Sequence, residues 1–249
     1  MVLNNVLGVV GSPRKGRLTD QLVSKCLEGV SSIGTKTRKV YLIDYNVPFY
    51  TEQAVCPDEL NSLCEEADAI VIGSPVYWGG INGLTKNFMD TVRISNANGK
   101  YGLGISVAGG TGKGVCSALQ DIYRFFYHRR MRGLYPTPVT RFNFDSAMKS
   151  LYDSGQKLAK LPVKKKVFLD YFGRAEYYEK LRYLNYTYID EFVLLTKYLL
   201  KSVKRHEKYK ESKKEYELAL KLIGNGEKGK ALKHVVKAYN ALYFPPKEE

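Results

Sequence analysis

The chain has 249 residues, 44% of them hydrophobic and 26% charged, with a formal net charge of +14. These proportions belong to a folded globular chain and exclude disorder as its main state, and no apolar run is long enough for a helical membrane span. The segment from Met1 to Gly11 has no basic region ahead of its apolar run, so a cytoplasmic protein is expected rather than a secreted one.

The first part of the chain alternates strand-like and helix-like patterns. Val6–Val10 is a short apolar run ending at Gly11, the pattern of a strand buried on both faces. Thr19 is placed as the cap of a helix that carries Leu22, Val23, Cys26, Leu27 and Val30 on one face. Arg38–Asp44 reads as a second strand, and Pro57-Asp58-Glu59-Leu60 as a helix start with acids in its first turn. Ala69–Gly73 is the third strand, Leu84–Val92 a helix, and Tyr101–Ala108 the fourth strand, running into Gly109-Gly110. Val115–Arg132 is a long helix, Pro138–Phe144 the fifth strand, and Ala147–Leu161 a closing helix. Strands alternating with helices predict an α/β fold, a doubly wound parallel sheet of five strands with right-handed crossovers. Such sheets bind ligands beyond the carboxyl ends of their strands, so the loops after the first, third and fourth strands carry the functional expectation.

The pattern changes after Pro162. Residues 1–161 form one expected domain, and 162–249 a basic, tyrosine-rich helical extension. Residues 161–249 hold +8 of the net charge. Lys164-Lys165-Lys166 opens the extension, Phe192, Leu195, Leu199 and Val203 recur at helical spacing, and Pro245-Pro246 ends it. Glu215–Ile223 and Lys228–Tyr243 flank Gly224-Asn225-Gly226, the signature of an αα-hairpin. A basic surface attracts anions, nucleic acid among them. The signs are interleaved, however, as in Glu207-Lys208 and Lys213-Lys214-Glu215, which describes a solvated helix face, so nucleic-acid binding ranks last. Tyr171, Tyr177, Tyr178, Tyr183, Tyr186 and Tyr188 suit either the cover of a domain edge or the contact of a homo-oligomer, a dimer or tetramer.

The four cysteines, Cys26, Cys56, Cys64 and Cys116, lack the spacing of a metal knuckle and read as free thiols; no metal site is expected. His128 stands in Tyr127-His128-Arg129-Arg130 at the basic end of a helix, with nothing beside it to activate it, and is assigned to the surface.

Three loops remain. Gly11-Ser12-Pro13-Arg14-Lys15-Gly16-Arg17-Leu18-Thr19 joins a strand to a helix N-terminus, where free N–H groups and the helix dipole favour a phosphate; Ser12 and Thr19 add hydroxyls, and Arg14 and Lys15 add charge. The second loop is Gly73-Ser74-Pro75-Val76-Tyr77-Trp78-Gly79-Gly80-Ile81-Asn82-Gly83. Its aromatic pair either stacks on a flat ligand or packs into the core. The third is Ala108-Gly109-Gly110-Thr111-Gly112-Lys113-Gly114. A nucleotide-triphosphate loop would need Gly where Val107 stands and Ser or Thr where Gly114 stands, so a bare-backbone wall for a flat ligand is the better reading.

Gly-Ser-Pro-Arg-Lys-Gly after the first strand, and the run from Gly73 through Asp90 after the third, resemble the flavodoxin-like NAD(P)H-dependent FMN reductase family, closest to its iron–sulfur-flavoprotein and multimeric quinone-reductase branches. The resemblance covers about residues 4–160 and implies a flavodoxin-like fold with tightly bound FMN. It implies that Ser12, Arg14, Lys15 and Thr19 hold the FMN phosphate. Pro75, Val76, Tyr77, Trp78, Gly79 and Gly80 would line the ribityl chain and ring, and Gly109, Gly110 and Gly112 would close the far side. Two departures stand out. Leu18 replaces the Asn common before the Thr, and the region Tyr45–Leu60 contains only Cys56, where the iron–sulfur branch has a compact cysteine cluster. The implied reaction is hydride transfer from NADPH or NADH to FMN and onward to a small-molecule acceptor such as a quinone or free flavin, with no catalytic acid–base side chain required. A flavodoxin-type electron carrier docking to a redox partner is the alternative.

Overall fold

The computed structural model describes residues 3–163 and 166–244. Of the extension's expected boundaries, Lys164, Lys165, Pro245 and Pro246 lie outside the described residues. In chain order the first part comprises β1 (Asn5–Val10), α1 (Leu18–Ser31), β2 (Lys36–Tyr41), α2 (Asp58–Glu66), β3 (Ala69–Tyr77), β4 (Gly80–Ile81), α3 (Gly83–Thr91), β5 (Tyr101–Ala108), α4 (Val115–His128), β6 (Arg132–Thr140) and α5 (Phe144–Ala159). The extension contains α6 (Tyr171–Glu179), α7 (Tyr188–Ser202), α8 (Tyr209–Gly224) and α9 (Lys228–Tyr243).

Five parallel strands run in the order β2-β1-β3-β5-β6, and β4 is a short antiparallel appendage of β3. This is the flavodoxin-like doubly wound order, with its switch point at β1 and β3. Alternation along β1 splits the core in two. Val6 and Val10 face Leu22, Val23 and Cys26 of α1 and Leu151 of α5. Leu7 and Val9 face Leu60 of α2, Phe88 of α3 and Leu119, Ile122 and Phe126 of α4. Burying one large aliphatic or aromatic side chain contributes about 1.5–3 kcal/mol, so each face commits its helices firmly. Buried Lys100 donates its ammonium to the carbonyls of Cys64, Glu65 and Ala67, satisfying the C-terminal end of α2.

Several boundaries differ from expectation. Thr19 lies inside the first turn of α1, whose cap position is Arg17. The second strand stops at Tyr41, and Leu42–Asp44 is a 3-10 turn that buries Leu42 and exposes Ile43. The long helix ends at His128, and the fifth parallel strand starts at Arg132 rather than Pro138. Pro136 and Pro138 are accommodated within it because β6 is an edge strand and tolerates residues without an N–H.

The extension covers that edge. The Tyr178 hydroxyl donates to Met131 O and accepts from Gly133 N–H (2.8 and 3.2 Å), and the Tyr177 hydroxyl donates to Gly133 O (2.8 Å). An unpaired edge is an aggregation template, and these side chains blunt it. Tyr177, Tyr178, Tyr183 and Tyr186 pack within the chain, as the first of the two readings, cover of a domain edge, expects; Tyr171 and Tyr188 are exposed. The hairpin of α8 and α9 is present and packs through Ala219, Ala231 and Val235.

Candidate functional site

The first loop is shaped by residues that the sequence reading passed over. Asp20, buried in the first turn of α1, accepts from Gly16 N–H at 2.8 Å, from the Tyr41 hydroxyl at 3.0 Å and from the Lys39 ammonium at 2.8 Å. Burial alone would raise its carboxyl, but the Lys39, Gly16 and Tyr41 hydrogen bonds prevail and hold it below the ordinary carboxylate value. Ser12 is buried, and its Oγ accepts from Arg14 N–H at 3.1 Å, curling the loop. Lys15 is turned away onto Asp44 (2.6 Å) and the Tyr41 ring. Arg14 is exposed and has no side-chain partner among the described residues. No side chain caps α1, so its leading N–H groups remain available at the mouth of the loop.

The second loop is a hairpin, which the sequence reading missed. β3 continues to Tyr77, pairs back on Gly80 and Ile81 of β4, and turns at Trp78 and Gly79. Both turn residues have positive φ, 52° and 84°. That is the two-residue turn which matches strand twist, and it favours Asn, Asp or Gly at its first position. A tryptophan there costs backbone strain of roughly 1–3 kcal/mol. Its side chain gains nothing in compensation from the core, because it is 106% exposed, and Tyr77 is 41% exposed. Of the two readings for the aromatic pair, core packing is thereby removed. Pro75 is buried and Val76 half-buried beneath the hairpin.

Asn82 locks the first two loops together. Its Nδ2 donates to Gly11 O at 2.7 Å, and its Oδ1 caps α3 by accepting from Thr85 N–H at 3.1 Å. Gly11 N–H donates to Gly73 O at 2.8 Å. Leu18, the residue in the place of the common Asn, lies against Gly109, so loops one and three meet through an apolar contact. Loops two and three meet through backbone: a Cβ on Gly114 would stand 2.3 Å from Gly79 Cα.

The third loop is held from behind by the extension. Glu191, in the first turn of α7, is buried and accepts from Gly114 N–H and Cys116 N–H, both at 2.9 Å. Its carboxylate thus stands at the N-terminus of α4, where the helix dipole favours it. The Tyr239 hydroxyl of α9 donates to Thr111 O at 2.6 Å, and Leu195 lies under Gly112. Lys113 sits over the rings of Phe192 and Tyr239. Gly109 and Gly110 face solvent, with open space around Gly110. The structure therefore gathers Ser12, Thr19, Trp78 to Gly80, and Gly109 to Gly112 at the carboxyl ends of β1, β3 and β5, and sets Lys15 apart. His128 lies at the far end of α4.

The donor chemistry of this mouth fits FMN: uncapped N–H groups, hydroxyls and Arg14 for a phosphate, then exposed aromatics and bare backbone for a flat ring. The thiols do not fit an iron–sulfur cluster, which needs about four thiolates in one place. Cys26 is on one face of the sheet, Cys56 and Cys64 on the other, and Cys116 under the extension. Burial raises all four thiols, those of Cys26 and Cys64 to about 12. Among the described residues no group of three His, Cys, Asp or Glu could hold a metal ion, and no helix is long and apolar enough to cross a membrane.

The sequence profile of a family described as NADPH-dependent FMN reductase matches residues 4–135. An iron–sulfur flavoprotein of Methanocaldococcus jannaschii is 32% identical over 136 residues, covering 49% of this chain and 70% of the relative. An iron–sulfur flavoprotein of Archaeoglobus fulgidus is 30% identical over 122 residues, 43% and 56% of the two chains. Among solved structures, an NADH:FMN oxidoreductase in its apo form superimposes with TM-score 0.53 at 18% identity, covering 66% of this chain and 95% of its own. An oxidoreductase from Corynebacterium diphtheriae does so with TM-score 0.51 at 14% identity, covering 64% and 98%. These two support the fold, and both leave about a third of this chain unmatched. The profile match, together with the three converging loops, places the chain in the NADPH-dependent FMN reductase family, as a flavin oxidoreductase that uses FMN with NAD(P)H as substrate.

Proposed function

We propose that the chain transfers hydride from NAD(P)H through FMN bound at the three loops to a small acceptor, a quinone or free flavin. The observation that carries this reading is Trp78, fully exposed and held at positive φ on a hairpin braced by the third loop. Strain and exposed aromatic surface in one residue point to a ligand that uses it. Bound FMN supplies the ring that takes a hydride and passes the electrons on.

The chain's residues bind and orient. Arg14, the Ser12 and Thr19 hydroxyls and the α1 N–H groups hold the phosphate; Tyr77 and Trp78 flank the ring; Gly109 and Gly110 wall its other side. Gly114 N–H and Cys116 N–H are engaged by Glu191 and stay with the protein. The scattered, buried thiols offer no cluster to carry electrons away, so the acceptor would meet the flavin directly. Phe49 and Tyr50, 73% and 64% exposed, form an apolar face of the kind that subunits cover, and a homo-oligomer is expected.

The test is an anaerobic titration. The purified protein should show flavin bands that bleach with NADPH or NADH and recover on adding a quinone. Bands that persist with both nucleotides refute the reductase reading. Light scattering that gives a monomer removes the oligomer.

A further inference from the structure

A second pocket lies at the opposite end of the sheet from the flavin loops. Arg130, Phe168, Leu169, Asp170, Tyr171 and Arg174 line a cavity of about 250 Å³. Arg130 follows the C-terminus of α4, and its carbonyl accepts from Gly99 N–H just ahead of β5. β5 is eight residues long, so the two ends are roughly 25 Å apart at about 3.3 Å per residue.

Arg174 is the unusual member. It is 4% exposed, yet its guanidinium donates no hydrogen bond to any described residue, and its Nε is buried without a partner. Buried charges are ordinarily paired, and each exception calls for an explanation. The guanidinium carbon sits over the rings of Tyr127 and Tyr171, at 4.4 and 4.7 Å. Ring faces accept no in-plane hydrogen bond, so the N–H groups of Arg174, which lines the cavity, are left without an acceptor among the described residues. Asp170 is the one carboxylate lining the cavity among the described residues, and its Oδ1 caps α6, accepting from Gly173 N–H at 2.7 Å. The wall therefore carries two guanidinium groups against one engaged carboxylate. Phe168, the Tyr171 ring and Leu169, itself 93% exposed, supply apolar surface beside the charge.

We infer that this pocket binds a small organic carboxylate, head group on Arg174 with support from Arg130, and apolar body against Phe168, Leu169 and Tyr171. A planar carboxylate matches the fork of a guanidinium in two parallel hydrogen bonds. The apolar lining gives the organic body a place that inorganic anions cannot use.

The test uses the full-length protein with its flavin, titrated calorimetrically at constant ionic strength with benzoate, the neutral isostere benzamide, and inorganic phosphate. Benzoate should bind with one-to-one stoichiometry, benzamide and phosphate at least about tenfold more weakly, a difference of about 1.4 kcal/mol or more, and the flavin absorption should not move. Arg174→Lys keeps the charge but loses the fork, and should weaken benzoate about tenfold; Arg174→Gln should abolish binding. Arg130→Gln, at an exposed position, should weaken it measurably and guards against a misfolded Arg174 variant. The inference is overturned if benzoate gives no heat, if benzamide or phosphate binds equally well, if binding survives Arg174→Gln, or if benzoate shifts the flavin bands.

Discussion

Replacing Glu191 by Ala tests whether the extension is part of the flavin site. The substitution removes the acceptor of two buried N–H groups, those of Gly114 and Cys116. A buried donor left unpaired costs about 1–3 kcal/mol, and the lost charge at the α4 N-terminus adds about 0.3–1 kcal/mol. A cavity lined by Cys116, Ser117, Gln120 and Tyr186 adjoins Glu191. Water entering there can satisfy part of what is lost, so the expected destabilisation is about 2–3 kcal/mol rather than the maximum. Urea unfolding of the flavin-free protein measures it. Gly114 also braces Gly79 at the hairpin turn. If half the loss is expressed in that loop, FMN affinity falls about tenfold, since 1.4 kcal/mol is a factor of ten. Glu191→Gln retains one acceptor and should fall between. A loss below about 0.5 kcal/mol, or a full loss of stability with unchanged FMN affinity, would refute the linkage between extension and site.

The remaining predictions concern the loops. Trp78→Gly relieves the positive-φ strain, so flavin-free stability should hold or rise by about 1 kcal/mol while FMN binding weakens; Trp78 is the only tryptophan, and quenching of its emission by FMN in the parent protein reports the contact directly. Equal FMN affinity in parent and variant would sink the stacking role. Gly114→Ala places a Cβ 2.3 Å from Gly79 Cα at φ 83°, so it should part the second and third loops and weaken FMN at least about tenfold by fluorescence titration. Arg14→Gln should weaken FMN several-fold more at low than at high salt, whereas Lys15→Gln, at a side chain committed to Asp44, should change it little. The hydrogen bonds that hold the Asp20 carboxyl below its ordinary value stabilise the fold above the unfolded carboxylate pKa of about 3.9, and this contribution disappears as pH falls through the lower native value. Asp20→Asn should therefore flatten the acid limb of the stability profile below about pH 4; superimposable limbs would contradict it.

Much of the candidate site was legible locally. The first loop is contiguous, follows an apolar run and precedes an amphipathic helix, so Ser12 and Thr19 could be named as candidates from the chain alone. The hairpin at Trp78 was not, because a tryptophan is an improbable occupant of the left-handed position that creates the turn. Asp20 and Asn82 escaped notice for another reason. Each reads as an ordinary helix-start residue, and only folding brings Tyr41 and Lys39 to the one and Gly11 to the other.

Local periodicity and spacing determined the alternating elements, the parallel sheet, the loops that matter and the helical hairpin of the extension. These depend on residues within one or two turns of each other. Where the extension lies was decided by the tertiary structure. Glu191 reaches Gly114 across 77 positions and Tyr239 reaches Thr111 across 128. No spacing rule links partners so far apart. Their pairing follows from the need of buried N–H and C=O groups behind the third loop for partners, and from the apolar faces of α7 and α9 that had nowhere else to be buried.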